Sequence, residues 1–345
     1  MLLALQALLP EELARVAGID LVDARRLVSL VHRRGALPDR SPATIRRAAL
    51  DAVRAAGHVP ALTLVERRAS QQDPFVKYGF ALHDGGVIES VRIPLERAGR
   101  FSACVSSQLG CALACAFCAT GRMGLKRNLE TWEIVEQVRV LRADLPAVGH
   151  IHGVLFQGMG EPLANFDRIV QAIRVLAEPS AQAIDMRNIT VCTAGLPSGI
   201  RRLAREVPAV RLAVSLGSAK TGRRRSLMPI DDAYPLGEVI AAAAEHARTT
   251  RQSPLFAYTL LEGENDGAGD AAALGDLALR FAAETGVRPR LSLIPYNAIG
   301  ADAFRRSPRL EAFRSGLLAR GLGSIVRYSG GADVGAACGQ LATPS

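Results

Sequence analysis

A chain of 345 residues is long enough for one large domain or two smaller ones, and with 49% hydrophobic and 22% charged residues it can bury a full core in water. No apolar run approaches the roughly eighteen residues of a membrane span, which excludes a spanning helix. The net charge of +9 suits a polyanionic partner, because arginine and lysine contacts to phosphate supply much of nucleic-acid affinity. An Arg-rich enzyme surface gives the same balance, so charge alone does not choose between the two.

The opening, "MLLALQALLPEELARV", lacks a basic leader and a small-residue cleavage site, and Glu11 and Glu12 interrupt it. It reads as an amphipathic helix of a cytoplasmic protein rather than a signal peptide. In that compartment structural disulfides are rare, and clustered cysteines point to metal or redox chemistry. Residues 1–60 read as a small helical domain. Its clearest helix is "SPATIRRAALDAVRAAG", with Ser41 as N-cap, Pro42 at the first helical position and Gly57 at the end. Arg33, Arg34, Arg46, Arg47 and Arg54 make it basic, for RNA contact or simply as a solvated helix face.

Residues 61–100 read as a β-hairpin extension. "FVKYGFAL" and "VIESVRI" flank "HDGG", whose Asp-Gly supplies the positive φ angles of a tight turn. Val87, Glu89, Val91 and Ile93 share one face by the period of two. Glu89 is thus a carboxylate on an apolar face. It is either paired, or raised in pKa and suited to proton transfer, or turned to water on an edge strand. Alternation alone favours the edge.

From residue 101 strands alternate with helices. The strands are "FSACVS", "HIHGVLF", "NITVCT", "VRLAVSL", "LFAYTLL", "RLSLIPY" and "SIVRY", with helical runs such as "ETWEIVEQVRVLRA" and "LGEVIAAAAEHARTT". This pattern predicts an α/β fold over 101–330, a parallel sheet curled into a partial (β/α)6 barrel, followed by a loop over 331–345. The unusual residues directly follow strands: "GMGEP", "TAG", "GSAK" and Asn297. In such a barrel these positions form one face, and that face carries the active site.

Four of the six cysteines lie in "CVSSQLGCALACAFCATG". Cys111, Cys115 and Cys118 stand at i, i+4 and i+7, which would also suit three buried thiols on one helix face. Gly110 and Gly121 favour a loop around a cofactor instead. Structural zinc prefers two separated ligand pairs, and neither a second pair nor a nearby His is present. An iron–sulfur cluster fits better, because three thiolates on four irons leave one iron open for chemistry.

This C-x3-C-x2-C spacing after the first barrel strand resembles the radical SAM superfamily, and "GMGEP" supports the resemblance. With "GMGEPLANFD", "LIPYN" and the tail "GADVGAACGQLA", the chain from about residue 75 onward resembles the RNA adenine methyltransferase branch, the RlmN/Cfr type. The resemblance implies a [4Fe–4S] cluster on Cys111, Cys115 and Cys118. It implies S-adenosylmethionine at Gly160 and Glu161, with further contacts at Cys192, Ser215, Leu216, Gly217 and Asn297. It makes Cys338 the methyl-accepting thiol, Cys104 its transient disulfide partner and Glu89 the proton acceptor. The activity it implies uses S-adenosylmethionine twice to methylate an adenine of rRNA or tRNA, at carbon 2 in preference to carbon 8. A flavodoxin or ferredoxin would donate the electron to a monomeric enzyme without membrane contact.

The chemistry accounts for two lone thiols. Adenine carbons 2 and 8 are electron-poor, and the methyl of S-adenosylmethionine is an electrophile, so the family first methylates a thiolate and delivers the carbon as a radical. Two positions depart from the family pattern. Gly217 replaces a His, which removes a polar contact to the adenosyl part, and Cys192 replaces a Ser. The following loop, "KTGRRRSLMP", offers Arg223, Arg224 and Arg225 either as a phosphate grip or as a solvated loop. Competing functions are a radical SAM methylase of a small molecule and a zinc-binding RNA protein without catalysis.

Overall fold

The computed structural model describes residues 2–220, 222–300 and 303–342. Thr221 of the basic loop and residues 343–345 of the expected C-terminal loop lie outside them. The N-terminal segment holds α1 (Pro10–Ala17), α2 (Leu21–Arg34) and α3 (Arg47–Ala56). They close over Leu5, Leu13, Leu27, Leu50 and Val53.

Two expectations fail there. The chain does not open on one amphipathic helix: Leu3–Ala4 pairs in parallel with Gly57–His58, a single 3-10 turn covers Leu5–Ala7, and α-helix begins only at Pro10. Nor does α3 begin at Ser41 and Pro42. The Ser41 hydroxyl donates to the Ile45 carbonyl, 2.6 Å away, instead of accepting from a backbone N–H, so residues 41–45 form a turn. Arg46, tied to Asp20 and Asp23 around α2, fixes where α3 starts. Gly57 does end α3, but in extended backbone that leads into the short strand.

One ten-stranded sheet runs through the rest of the molecule. In chain order its strands are β1 (Thr63–Ala69), β2 (Val76–Ala81), β3 (Val87–Pro94), β4 (Arg100–Val105) and β5 (His150–Phe156). There follow β6 (Ile189–Thr193), β7 (Arg211–Ser215), β8 (Leu255–Leu260), β9 (Arg290–Pro295) and β10 (Ser324–Val326). Each strand lies beside its sequence neighbours. The pairs from β1 to β4 are antiparallel and those from β4 to β10 parallel.

Parallel neighbours require long crossovers, here six helices: α4 (Thr131–Ala143), α5 (Phe166–Ala177), α6 (Pro197–Glu206), α7 (Leu236–Thr250), α8 (Ala268–Thr285) and α9 (Leu310–Leu318). Six strand–helix units and a seventh parallel strand form the expected partial barrel. Among the described residues β1 and β10 do not pair, so the sheet is open. One hydrophobic core reaches from Phe80 and Ile88 in the antiparallel strands to Leu293 and Phe313 at the far side.

The hairpin forms, but its positive φ angles fall on Gly85 and Gly86 rather than on Asp84. The edge-strand expectation for Glu89 is wrong: β3 lies between β2 and β4, and the exposed edge is β1. A period of two reports which residues share a face, but not which strands flank them.

Candidate active site

The parallel strands all point the same way, so the segments that follow β4, β5, β6, β7 and β9 meet at one end of the barrel. Residues 111–118 between β4 and α4 are loop and turn, not helix. Cys111, Cys115 and Cys118 line one cavity with Gly160, Glu161, Cys192, Ser215 and Cys338. Burial pushes the Cys111 thiol up to about 11, and the nearby Glu161 carboxylate adds to the effect. Burial raises Cys115 and Cys118 as well.

Among the described residues no three His, Cys, Asp or Glu side chains converge on a point that one metal ion would fill. The loop thiols instead share a cavity wall, which suits a cluster in which each thiolate binds its own iron. The residues therefore fit the group.

Gly160 follows β5 with φ +97, and a Cβ there would lie 2.5 Å from the Gln108 Cβ, so only glycine passes. The Gln108 Oε1 accepts the Glu161 N–H at 2.8 Å. The Glu161 carboxylate accepts backbone N–H groups of Leu163 (3.0 Å) and Ala194 (2.8 Å), which fixes its direction. Its burial outweighs those bonds and lifts its pKa to about 6.

Gly217 has φ +67, and a Cβ would meet the Met228 Sδ at 2.6 Å. The space a side chain would need at this position is taken by Met228. Leu216 is buried, and its carbonyl accepts Arg224 Nε at 3.1 Å. Asn297 donates its Nδ2 to Ser329 Oγ (2.9 Å) and to the Cys338 carbonyl (3.1 Å). Leu216, Gly217 and Asn297 are not among the residues lining the cysteine cavity, unlike Gly160, Glu161, Cys192 and Ser215.

A second cavity of about 440 Å³ shares Cys118, Gln157, Gly158, Cys338 and Gly339 with the first and extends through the barrel interior. Cys104 on β4 faces this second cavity, and Cys338 faces both. Burial pushes Cys104 and Cys192 each up to about 12; the Cys338 thiol adds to the shift at both, and Arg327 opposes it. Arg327 follows β10 and faces Cys104, Cys192 and Cys338, with a hydrogen bond to Cys192. All six cysteines are free in this structure.

Glu89 is 1% exposed, and its Oε1 accepts the Lys77 ammonium at 2.9 Å. Burial raises its pKa against the effect of Lys77. Both sequence alternatives to the edge therefore hold at once: the group is paired, and it is raised. Glu89 lines neither cavity. The C-terminal tail lies over it, held by Thr120 Oγ1 to the Leu341 carbonyl and by Ala119 N to the Gly339 carbonyl, with the Ala342 backbone close to its carboxylate.

The phosphate-grip expectation fails for Arg224. It is buried and donates to the Leu216 and Ala194 carbonyls and to Asp231 at 2.6 Å, so it knits the strand ends together. Arg223 and Arg225 are exposed and paired with Glu264 and Asp232. The sequence reading passed over Lys77, Gln157 and Arg327. The rule that chemistry sits at strand ends would have flagged Gln157 and Arg327, and a lysine within the apolar "FVKYGFAL" was the signal for Lys77.

A model of the radical SAM superfamily matches residues 105–273. A probable RNA methyltransferase of Sorangium cellulosum is 69% identical over 98% of this chain and 92% of that protein. The dual-specificity RNA methyltransferase RlmN of Syntrophobacter fumaroxidans is 44% identical over 80% of this chain and 79% of its own. The crystal structure of a radical SAM methyltransferase from Sphaerobacter thermophilus superposes with a TM-score of 0.86 at 34% identity, covering 98% of this chain and 99% of that one. No helix among the described residues is long and apolar enough to cross a membrane. With its three-thiol loop, strand-end glycine and glutamate and paired cavities, this chain belongs to the RlmN-type RNA methyltransferases of the radical SAM superfamily.

Proposed function

We propose that this enzyme methylates an adenine at carbon 2, in ribosomal or transfer RNA, through a methylated Cys338. What carries the reading is Cys338, which lines both the cavity of the loop cysteines and the cavity that Cys104 faces. The printed name of the Syntrophobacter relative, a dual-specificity RNA methyltransferase, supports an RNA substrate. The second cavity, at about 440 Å³, is within the range of pockets that hold a ligand of nucleoside size.

When bound, the cluster and S-adenosylmethionine, which the family implies, supply a methyl group and a 5′-deoxyadenosyl radical. Cys111, Cys115 and Cys118 hold the cluster. Gly160, Glu161, Cys192 and Ser215 would hold S-adenosylmethionine, the Glu161 carboxylate attracting its cationic amine, with Leu216, Gly217 and Asn297 contributing from beside that cavity. Cys338 would take the methyl as a thioether; that methyl would give one hydrogen atom to the 5′-deoxyadenosyl radical as its carbon joins the adenine ring, and the radical adduct would return one electron to the electron carrier. Glu89 accepts the ring proton. The Cys104 thiolate would then attack the Cys338 sulfur; the sulfur–carbon bond would break with its electron pair going to carbon, which takes a proton as methyladenine leaves and a Cys104–Cys338 disulfide forms. Helical residues 1–60 contact the RNA, and a flavodoxin or ferredoxin supplies the electron.

Mass spectrometry of digested rRNA and tRNA from a deletion strain tests the assignment. Loss of 2-methyladenosine is expected. Loss of 8-methyladenosine alone would move the reaction to carbon 8, and an unchanged profile would overturn the RNA assignment.

A further inference from the structure

Glu89 has a difficulty that its burial creates. After each ring proton arrives, the carboxyl must lose it again before the next adenine, and at 1% exposure Glu89 has almost no direct contact with water. Gly335 stands beside the Lys77 Nζ and the Ala342 backbone beside the Glu89 carboxylate, so the tail covers both groups. Glu89 Oε2 has no hydrogen-bond partner among the described residues.

The sheet register opens a way out on the other side. Glu66 on β1, Gly79 on β2 and Glu89 on β3 stand directly opposite one another across three strands. A register shift between Leu64 and Glu66 brings Glu66 into that row. Gly79 leaves the middle position empty: a Cβ there would lie 3.1 Å from the Glu66 Cβ and 3.7 Å from its Oε2. Lys77, two residues away on the same face, occupies the gap, with its Nζ 2.9 Å from Glu89 Oε1 and 3.5 Å from Glu66 Oε2. Side-chain exposure climbs along the row, from 1% at Glu89 to 8% at Lys77 and 27% at Glu66.

We propose that Lys77 and Glu66 form a proton relay that empties Glu89 through the sheet to solvent between turnovers. The Glu89 carboxyl passes its proton to the Lys77 nitrogen as that nitrogen passes another to the Glu66 carboxylate, and Glu66 releases it to water. All three groups finish as they began, Glu89 and Glu66 as carboxylates and Lys77 as an ammonium. One proton leaves the protein, and no bond between heavier atoms changes. Lys77 and Glu66 are positioning residues that act through Glu89 and never touch the RNA.

The relay rests on Glu89 being the proton acceptor, and its test separates the two claims. Purified holoenzyme is given RNA substrate, S-adenosylmethionine and reductant over many turnovers, and both methyladenine and the covalent protein–RNA species are followed. E89Q is expected to trap the covalent species in the first turnover. E66Q, at a half-exposed site that does not threaten folding, is expected to slow steady turnover about tenfold, as covalent species accumulates after the first cycle. K77M should do the same, and K77R, which keeps the cation but does not give up a proton, should stay slow; full recovery by K77R would show that charge alone suffices and would overturn the relay. A purely structural role for Glu66 would lower the rate without trapping RNA. If E66Q turns over like the parent with no trapped RNA while E89Q stalls, the relay is wrong. If E89Q itself turns over normally, the assignment of Glu89 as proton acceptor is wrong and the relay falls with it.

Discussion

Two groups of three cysteines meet at the end of this barrel, and they are built in opposite ways. Cys111, Cys115 and Cys118 follow one another on a single loop, whereas Cys104, Cys192 and Cys338 come from β4, β6 and the C-terminal tail. Burial raises the loop thiols, and at Cys111 the Glu161 carboxylate reinforces it. Arg327 opposes the shift at Cys104 and Cys192, as Arg224 does at Cys115, and Glu161 reaches Cys115 and Cys192 as well as Cys111. The loop group therefore offers three thiols on one segment to a metal cluster, whereas the barrel thiols are brought together from three separate elements beside Arg327.

Removing one group at a time breaks the comparison most sharply. The triple variant C111A/C115A/C118A should bind no iron, by iron and sulfide analysis after anaerobic reconstitution, whereas C104A and C338A should bind as much as the parent. Iron retained by the triple variant would end the division of labour.

The next test divides the second group. C338A should give neither methyladenine nor RNA-linked protein, because no methyl can be loaded. C104A should load and couple but not release, leaving protein joined to RNA as a nuclease-sensitive band above the free chain. Normal turnover by C104A under reducing conditions would remove the disulfide step.

Arg224 and Arg327 sharpen the contrast between a structural and a chemical guanidinium. R224A takes away a buried partner of Asp231 and of two carbonyls, and should cost about 3 kcal/mol in denaturant unfolding. Replacing exposed Arg223 and Arg225 together should cost less than about 1 kcal/mol. R327M should leave stability and iron content nearly unchanged but slow methyl loading of Cys338 about tenfold, equivalent to ~1.4 kcal/mol of lost charge stabilisation. R327K should restore part of that rate. Loading by R327M at the parent rate would show that the barrel thiols do not depend on this cation.

The smallest effect is a pH dependence at Glu161. Its pKa stands at about 6, above the ordinary 4.5. The stability it contributes to the ligand-free protein is therefore full below about pH 4.5 and is lost as pH rises through about 6. Its grip on a cationic amine runs the other way, since only the carboxylate attracts the cation. The rise in melting temperature on adding S-adenosylmethionine should thus be larger at about pH 7.5 than at about pH 5. Equal rises would take Glu161 out of the cofactor's contacts.

What the sequence determined by itself is local. Hydrophobic runs set the seven parallel strands and their helices, because a buried parallel strand must be apolar on both faces and its crossover must be long. The Asp-Gly-Gly turn set the hairpin, and the spacing of Cys111, Cys115 and Cys118 placed three thiols on one loop before any neighbour was known. What the tertiary structure decided is which groups face each other across strands. Ser41 looked like a cap until Arg46 met Asp20 and Asp23. Arg224 looked like a surface charge until it reached two buried carbonyls. Glu89 looked like an edge residue until β4 closed over β3. Strand register is a long-range property: one more neighbouring strand turns an exposed carboxylate into a buried one, raises its pKa and gives it Lys77 as a partner. No spacing within "VIESVRI" carries that information, because the charge and the burial that act on Glu89 come from other strands.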